Sequence, residues 1–366
     1  MTTALLDNVE KINAIDKSGM LSFCINAPKH YREAAAIAQK ISVNIPKPDN
    51  IIVSGLGGSA IGGDLLKDWV RDKSSVPIEV NREYHLPAYA GKKTLVIVSS
   101  YSGETEESLS AFLEALKRRC MVYCISSGGA LLKYAAKHNV PFLQVPSGMP
   151  PRAALPYMFI PLVIFMQKTG LVTGVSVELE EALKLLEKIS ADNLPQKPSI
   201  DNFAKTLALD IDGTVPVIYG FGFYRGVAQR FKQQINENAK YPAKWEVFPE
   251  LNHNEIVGWA SSGDSCKGFS IIFLRDTDEP VEIKSRIETT KQIIGNSGLK
   301  MVDLQSQGNS ALAKMLSTIV VADFTSNYLA VLHGVDPTPV EVITHLKGTL
   351  QKNGFKEKII RELEKI

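Results

Sequence analysis

Between residues 98 and 105 the chain reads Val-Ser-Ser-Tyr-Ser-Gly-Glu-Thr, which gathers the hydroxyls of Ser100, Ser102 and Thr105 in one short stretch. The apolar run before it, from Thr94 to Val98, is short and β-branched and predicts a buried strand. After it, Leu109, Phe112, Leu113 and Leu116 recur at the i, i+3, i+4, i+7 spacing of a helix. A strand therefore ends, a hydroxyl-rich loop turns, and a helix begins. Hydroxyls that converge with the unpaired N–H groups of a helix start can cradle a phosphate. An ordinary Ser/Thr cap explains one hydroxyl at such a place well and three less well. Both readings stay open on these residues. Glu104, Glu106 and Glu107 crowd the same turn; they suit the helix dipole but would repel a dianion unless they point away.

Other residues along the chain have the types that a reaction on such an anion would need. Ile51 to Val53 predicts a short strand that runs into Ser-Gly-Leu-Gly-Gly-Ser-Ala-Ile-Gly-Gly-Asp, residues 54–64. The glycine spacing is not Gly-x-Gly-x-x-Gly, and the Gly-Lys-Ser/Thr ending of a P-loop is missing, so a nucleotide is disfavoured. What remains is a small-ligand loop with Ser59 at its tip, or a tight helix–strand crossing that needs glycine only for packing. Arg152 enters an apolar segment, where a guanidinium is costly to bury unless it is paired or serves an anion. An exposed turn is the plainer alternative. Glu237 falls with Arg230, Gln233 and Gln234 on the polar face of a helix at about 224–239 that buries Val227, Phe231 and Ile235. Pattern alone makes Glu237 a solvated charge. His253 lies in an Asn- and Glu-rich loop; histidine changes charge near neutral pH, yet a lone loop histidine is usually polar surface. Lys347 flanks the apolar stripe of Ile343, Leu346 and Leu350, in a helix whose start, with Thr338, Pro339 and Glu341, predicts a capping box.

The elements that must position these residues follow from length and pattern. A chain of 366 residues suits two domains, and 45% hydrophobic with 22% charged residues describes an ordinary globular protein. Lys plus Arg is 41 against 39 for Asp plus Glu, a net charge of +2, which gives no reason to expect nucleic acid or an anionic membrane as partner. Any anion site must then be built locally. Cys24, Cys120, Cys124 and Cys266 show no metal-ligand or redox spacing. The first residues lack the basic region and apolar core of a signal peptide. Ala153 to Met166 is broken by Pro156 and Pro161 and falls short of the ~20 residues that span a bilayer, so the expected location is the cytoplasm. Strands at 94–98, 121–125 and 141–145 alternate with helices, which predicts a parallel sheet covered on both faces. The pattern resumes after a proline-bearing linker near 195–198, with strands at 216–219 and 269–274. Two domains are expected, 1–190 and 191–366, similar enough in style to suggest duplication.

Taken together, these segments resemble the bifunctional phosphoglucose/phosphomannose isomerases of the sugar-isomerase (SIS) superfamily. The resemblance runs from Gly55 to Lys347. It is carried, in family order, by the glycine stretch 55–64, the hydroxyl loop 100–107, Pro-Arg-Ala at 151–153, Asn-Glu-Asn-Ala-Lys at 236–240, Pro-Glu-Leu-Asn-His-Asn-Glu at 249–255 and Gly-Val-Asp-Pro-Thr-Pro-Val-Glu at 334–341. Ala60 departs from a common glycine, and Glu104 from a common asparagine. The resemblance implies an α/β fold of two SIS domains, each a five-stranded parallel sheet flanked by helices in an α-β-α sandwich. It implies a homodimer with shared active sites. The implied activity is aldose–ketose isomerisation of hexose 6-phosphates through ring opening and a cis-enediol, with no metal or other cofactor. Residue by residue, it implies Ser100, Ser102 and Thr105 on the 6-phosphate and Gly58 and Ser59 near the sugar. Glu237 maps onto the base that carries the carbon-bound proton, and Arg152 onto the cation facing the enediolate. His253, delivered by the neighbouring subunit, and Lys347 map onto the ring-opening pair. A non-catalytic sugar-phosphate sensor would keep the hydroxyl loop without needing Glu237, His253 or Lys347. An isomerase for glucose 6-phosphate alone is the other alternative.

Overall fold

Thr94-Leu-Val-Ile-Val-Ser99 is buried at every position, as only a strand covered on both faces can be. In the computed structural model, which describes residues 2–261, 263–295 and 298–366, this strand is the centre of a five-stranded parallel sheet. Its members are β1 (Asn50–Ser54), β2 (Ile78–Asn81), β3 (Thr94–Ser99), β4 (Met121–Ser126) and β5 (Phe142–Gln144), in the order β2-β1-β3-β4-β5. Ser54 stands beside Val98 in the β1–β3 register, and Ser99 beside Ile125 in the β3–β4 register. The helix Gly57–Trp69 follows β1, Glu106–Lys117 follows β3 and Gly129–Lys137 follows β4. From β1 the chain moves outward to β2, then crosses to the other side for β3. The crevice beyond the carboxyl ends of β1 and β3 is therefore the switch point at which open α/β sheets bind ligands.

A second parallel sheet contains β6 (Val215–Gly220), β7 (Lys244–Val247), β8 (Phe269–Arg275) and β9 (Lys300–Gln305), in the order β7-β6-β8-β9. It has four strands among the described residues, where five are expected. After β9 the chain goes into the 22-residue helix Ala311–Leu332, started by Ser310, whose hydroxyl accepts from the Ala313 N–H. That helix is long and apolar enough to cross a membrane, yet 89% of its apolar window is buried inside the fold. It packs against the helices Phe203–Ile211 and Arg225–Asn238 as the core of its unit.

The two compact units interleave along the chain. One combines the segment ending at Pro28 with Ser176–Pro339; the other combines Lys29–Val175 with Val340–Ile366. This differs from contiguous halves divided at 190, for reasons of packing. The early helix Met20–Ile25 buries Met20, Leu21 and Cys24 and lies on Ala311–Leu332. The helix Val175–Asp192 goes the same way, because the Glu181 carboxylate accepts from the Asn309 and Ser310 N–H groups at 2.7 and 3.0 Å. At the other end, Phe355–Lys365 packs on Glu106–Lys117 and buries Leu363 among Leu109, Phe112 and Leu131. An amphipathic stripe shows that a helix packs, and leaves open what it packs on.

Candidate active site

The hydroxyl loop sits at the switch point of the five-stranded sheet. Thr105 is the N-cap of Glu106–Lys117, in extended conformation at φ −71° and ψ 124°, and its side chain makes no bond onto the helix. The plain cap reading thus fails for the residue in the capping position. Its Oγ1 accepts instead from Ser100 Oγ at 3.3 Å. Ser100 is buried; Ser102 is exposed, with its Oγ accepting from the Glu104 N–H at 3.2 Å. Gly103 turns the loop at φ +67°, and a Cβ there would lie 2.0 Å from the Gly128 carbonyl oxygen, so only glycine fits. The loop is tied on both sides. Tyr101 C=O accepts from the Ser127 N–H at 2.9 Å, and Gly103 C=O accepts from the Leu131 N–H at 3.0 Å. Glu104 turns away from the cradle. Its carboxylate accepts from the Ala130 N–H at 2.8 Å and pairs with Lys356.

The glycine stretch is the first half of the helix Gly57–Trp69 and not a loop. A Cβ at Gly58 would lie 2.7 Å from the Pro151 carbonyl oxygen, and one at Gly62 would lie 2.7 Å from that of Met158. These glycines allow the close crossing with the helix Leu155–Lys168, so glycine serves packing, but against a helix and not the expected strand. Ser59 is in the first turn of that helix, buried, and not at a loop tip. Its Oγ accepts from the Tyr101 N–H at 3.0 Å and so joins the helix after β1 to the loop after β3. Arg152 is only 3% exposed, which overturns the exposed turn. Its Cα would lie 3.5 Å from a Cβ at Gly58, so it lines the same end of the sheet. Lys347 is exposed on the helix Glu341–Gln351, which buries none of its residues. The expected capping box does not form. The helix begins after Val340 without a side-chain cap, and the Thr338 N–H is taken by Asp336 Oδ1 at 3.0 Å.

The remaining two candidates lie in the other unit. Glu237 is in the last turn of Arg225–Asn238 and half-buried. The polar face that carries it is not a solvent face. Arg230 and Gln234 are buried, and Arg230 pairs with Asp323 of Ala311–Leu332 at 2.8 Å. Burial pushes the Asp323 carboxyl up while Arg230 opposes the shift. Periodicity cannot tell a polar face in water from one on a buried polar network. Lys240 fixes the turn after Glu237, donating to the Glu237 and Pro337 carbonyls at 2.6 and 2.7 Å. His253 ends the short turn Glu250–His253 and is exposed, with Leu251 buried beneath it. Both flanks are clamped. Asn252 Nδ2 donates to Thr290 Oγ1 at 2.8 Å, and Glu255 Oε1 accepts from the Tyr219 hydroxyl at 2.6 Å and from Trp259 Nε1 at 3.2 Å. Sequence reasoning missed Tyr219 and Trp259, because a tyrosine in a strand reads as core.

The second sheet has its own switch point, between β6 and β8, and its loops carry ion pairs. Where the first sheet has hydroxyls, the loop after β8 reads Asp276-Thr-Asp-Glu-Pro280. Lys314 pairs with Asp276 and Asp278 at 2.7 Å each, and the Tyr224 hydroxyl donates to Ser306 Oγ at 2.7 Å. An acidic loop does not attract phosphate, so this end of the second sheet is not built for an anion. Among the described residues no three His, Cys, Asp or Glu side chains are gathered as metal ligands.

Two parallel sheets, one with a hydroxyl loop at its switch point, define the SIS class of sugar-phosphate folds. The C-terminal domain of glucosamine-fructose-6-phosphate aminotransferase from Francisella tularensis has this fold, with a TM-score of 0.68 at 16% identity over 88% of this chain and 98% of that one. Residues 200–350 match the family model of the bacterial phospho-glucose isomerase C-terminal SIS domain. A bifunctional phosphoglucose/phosphomannose isomerase from Caldicellulosiruptor bescii is 43% identical over 334 residues, 90% of this chain and 98% of its own. The protein of that name from Aquifex aeolicus is 35% identical over 317 residues, 86% of this chain and 94% of its own. The chain belongs to the bifunctional phosphoglucose/phosphomannose isomerase family.

The Ser59 bond makes a prediction about stability that a purely ligand-binding serine would not. Ser59→Ala removes the acceptor of the buried Tyr101 N–H and should cost about 1–3 kcal/mol in urea unfolding without substrate. An unchanged unfolding midpoint would contradict a supporting role.

Proposed function

We propose that this protein interconverts fructose 6-phosphate with glucose 6-phosphate and mannose 6-phosphate, opening the ring and passing through a cis-enediol. The observation that carries the reading is the Thr105 cap with no bond onto its own helix. It leaves the hydroxyls of Ser100, Ser102 and Thr105, together with first-turn N–H groups, for an anion at the switch point. Held there by its phosphate, the sugar would lie toward Gly58, Ser59 and Arg152. His253 and Lys347 move protons at the ring oxygen and the anomeric hydroxyl, which opens the ring. The Glu237 carboxylate then takes a proton from C1 of the open ketose and returns it to C2, while the enediol oxygens exchange the carbonyl between them. Return to one face of C2 gives glucose 6-phosphate, and return to the other gives mannose 6-phosphate. Negative charge builds on the enediolate oxygens, where a buried guanidinium such as Arg152 stabilises it most. No step calls on a metal or redox cofactor.

We further propose a homodimer in which His253 serves the neighbouring subunit's site. His253 is exposed in the single chain, and Val342, Leu346 and Leu350 leave an apolar face uncovered on the helix of Lys347. The cytoplasm, where thiols stay reduced, suits the four free cysteines.

Coupled assays from fructose 6-phosphate, one for each aldose phosphate, test the activity. Both products should form, at equal rates with and without EDTA. Loss of turnover with chelator would contradict the mechanism, and binding without turnover would make the protein a sensor. Mixing Glu237→Gln with His253→Ala subunits tests the shared site. One site of the heterodimer then carries both lesions and the other neither, so activity should return to roughly half of the wild-type value per heterodimer, each lesion alone costing ~10²–10⁴-fold. Heterodimers confirmed by mass that stay inactive would refute the sharing.

A further inference from the structure

Glu104 stands between Ser102 and Thr105, in the middle of the loop read here as the phosphate site. A carboxylate so placed would repel a dianion if its side chain turned inward. Three features of the structure hold it outward. Its Oε1 accepts from the Ala130 N–H at 2.8 Å, at the start of Gly129–Lys137, a helix whose N-cap, Gly128, has no side chain to supply. Gly129, at φ +71°, makes room for this, since a Cβ there would lie 2.7 Å from Glu104 Oε1. The other oxygen, Oε2, takes the Lys356 ammonium.

Lys356 is presented by a helix that is docked independently of it. Phe355–Lys365 buries Leu363 completely, and its Glu362 and Glu364 pair with Lys117 and Lys137 at 3.2 and 2.7 Å. Removing the Lys356 charge therefore leaves the helix in place. We propose that Lys356 is a positioning residue for phosphate binding, which acts by holding the Glu104 carboxylate out of the hydroxyl loop. The proposal rests on the phosphate reading of residues 100–105. It assigns the C-terminal helix a function in the site beyond covering the Glu106–Lys117 helix. It also accounts for how this chain carries an acid where its family resemblance has asparagine.

The test compares Lys356→Met, Lys356→Arg, Glu104→Gln and the double variant Glu104→Gln/Lys356→Met in the full-length enzyme. The readouts are kcat, KM for fructose 6-phosphate, and Ki for inorganic phosphate as competitor. Lys356→Met leaves the carboxylate held by the Ala130 N–H alone, so that it swings inward more often, and should raise KM and the phosphate Ki by about tenfold, with kcat little changed. Lys356→Arg keeps the charge and should behave as wild type. Glu104→Gln keeps the bond from Ala130 without the charge, and should bind phosphate at least as tightly as wild type. The double variant should return KM and Ki to within about twofold of wild type, because no carboxylate is left to be held. Unchanged KM and Ki in Lys356→Met would overturn the proposal. So would a double variant as weak as Lys356→Met, since Lys356 would then act directly on phosphate or on the fold. Ser102→Ala separates the two layers of the argument. If it leaves the phosphate Ki unchanged, the loop reading falls and the proposal with it. If it raises Ki while Lys356→Met does not, only the proposal falls.

Discussion

The first N–H groups of an α-helix have no partner within the helix, and a cap residue ordinarily supplies one. In Glu106–Lys117 the residue in the capping position declines that role, because Thr105 Oγ1 is bonded to Ser100 and the helix start is left open. Much of the surrounding structure can be understood as support for that open end. The sheet order puts it at a switch point beside β1. Ser59 holds the Tyr101 amide, Gly103 provides a turn no other residue could make, and the 126–131 segment ties the far side. An anion site on a chain of near-neutral charge needs this kind of local construction, since the overall field supplies little attraction.

The two sheets share a strand order and differ in the residues at their switch points. In the second, Asp276 and Asp278 stand where the first has hydroxyls, and a buried lysine pairs with both, so that end of the sheet carries its own ion pairs. The residues of the second unit that we propose for proton transfer are elsewhere, Glu237 at the end of Arg225–Asn238 and His253 on the clamped turn.

What could be read from sequence was local. The strand Thr94–Ser99, the hydroxyl loop and the following helix were legible because an apolar β-branched run, a loop and an i, i+3, i+4 stripe follow each other without interruption. Of the two readings of the glycine stretch, loop or close packing, the loop fails; glycine weakens helices on its own, and contact with the Pro151 and Met158 carbonyls makes up for that only in the folded state. The burial of Arg152 and the Arg230–Asp323 pair depend on partners far away in the chain, which no window of residues contains. The same holds for the interleaved units. The stripe on Phe355–Lys365 was visible in principle, while its docking beside the hydroxyl loop was not. Site roles for Glu237, His253 and Lys347 came from resemblance, because their residue types alone fit exposed polar surface equally well.

The proposed reaction depends most directly on Glu237 moving the carbon-bound proton. Incorporation of solvent deuterium at C2 of the aldose phosphates, followed by NMR during reaction of fructose 6-phosphate in D2O, reports that step, which follows ring opening. Glu237→Gln keeps the shape of the side chain and removes the base, so incorporation should slow by about 10²–10⁴-fold relative to wild type. A Glu237→Gln protein that incorporates deuterium at the wild-type rate would contradict the account.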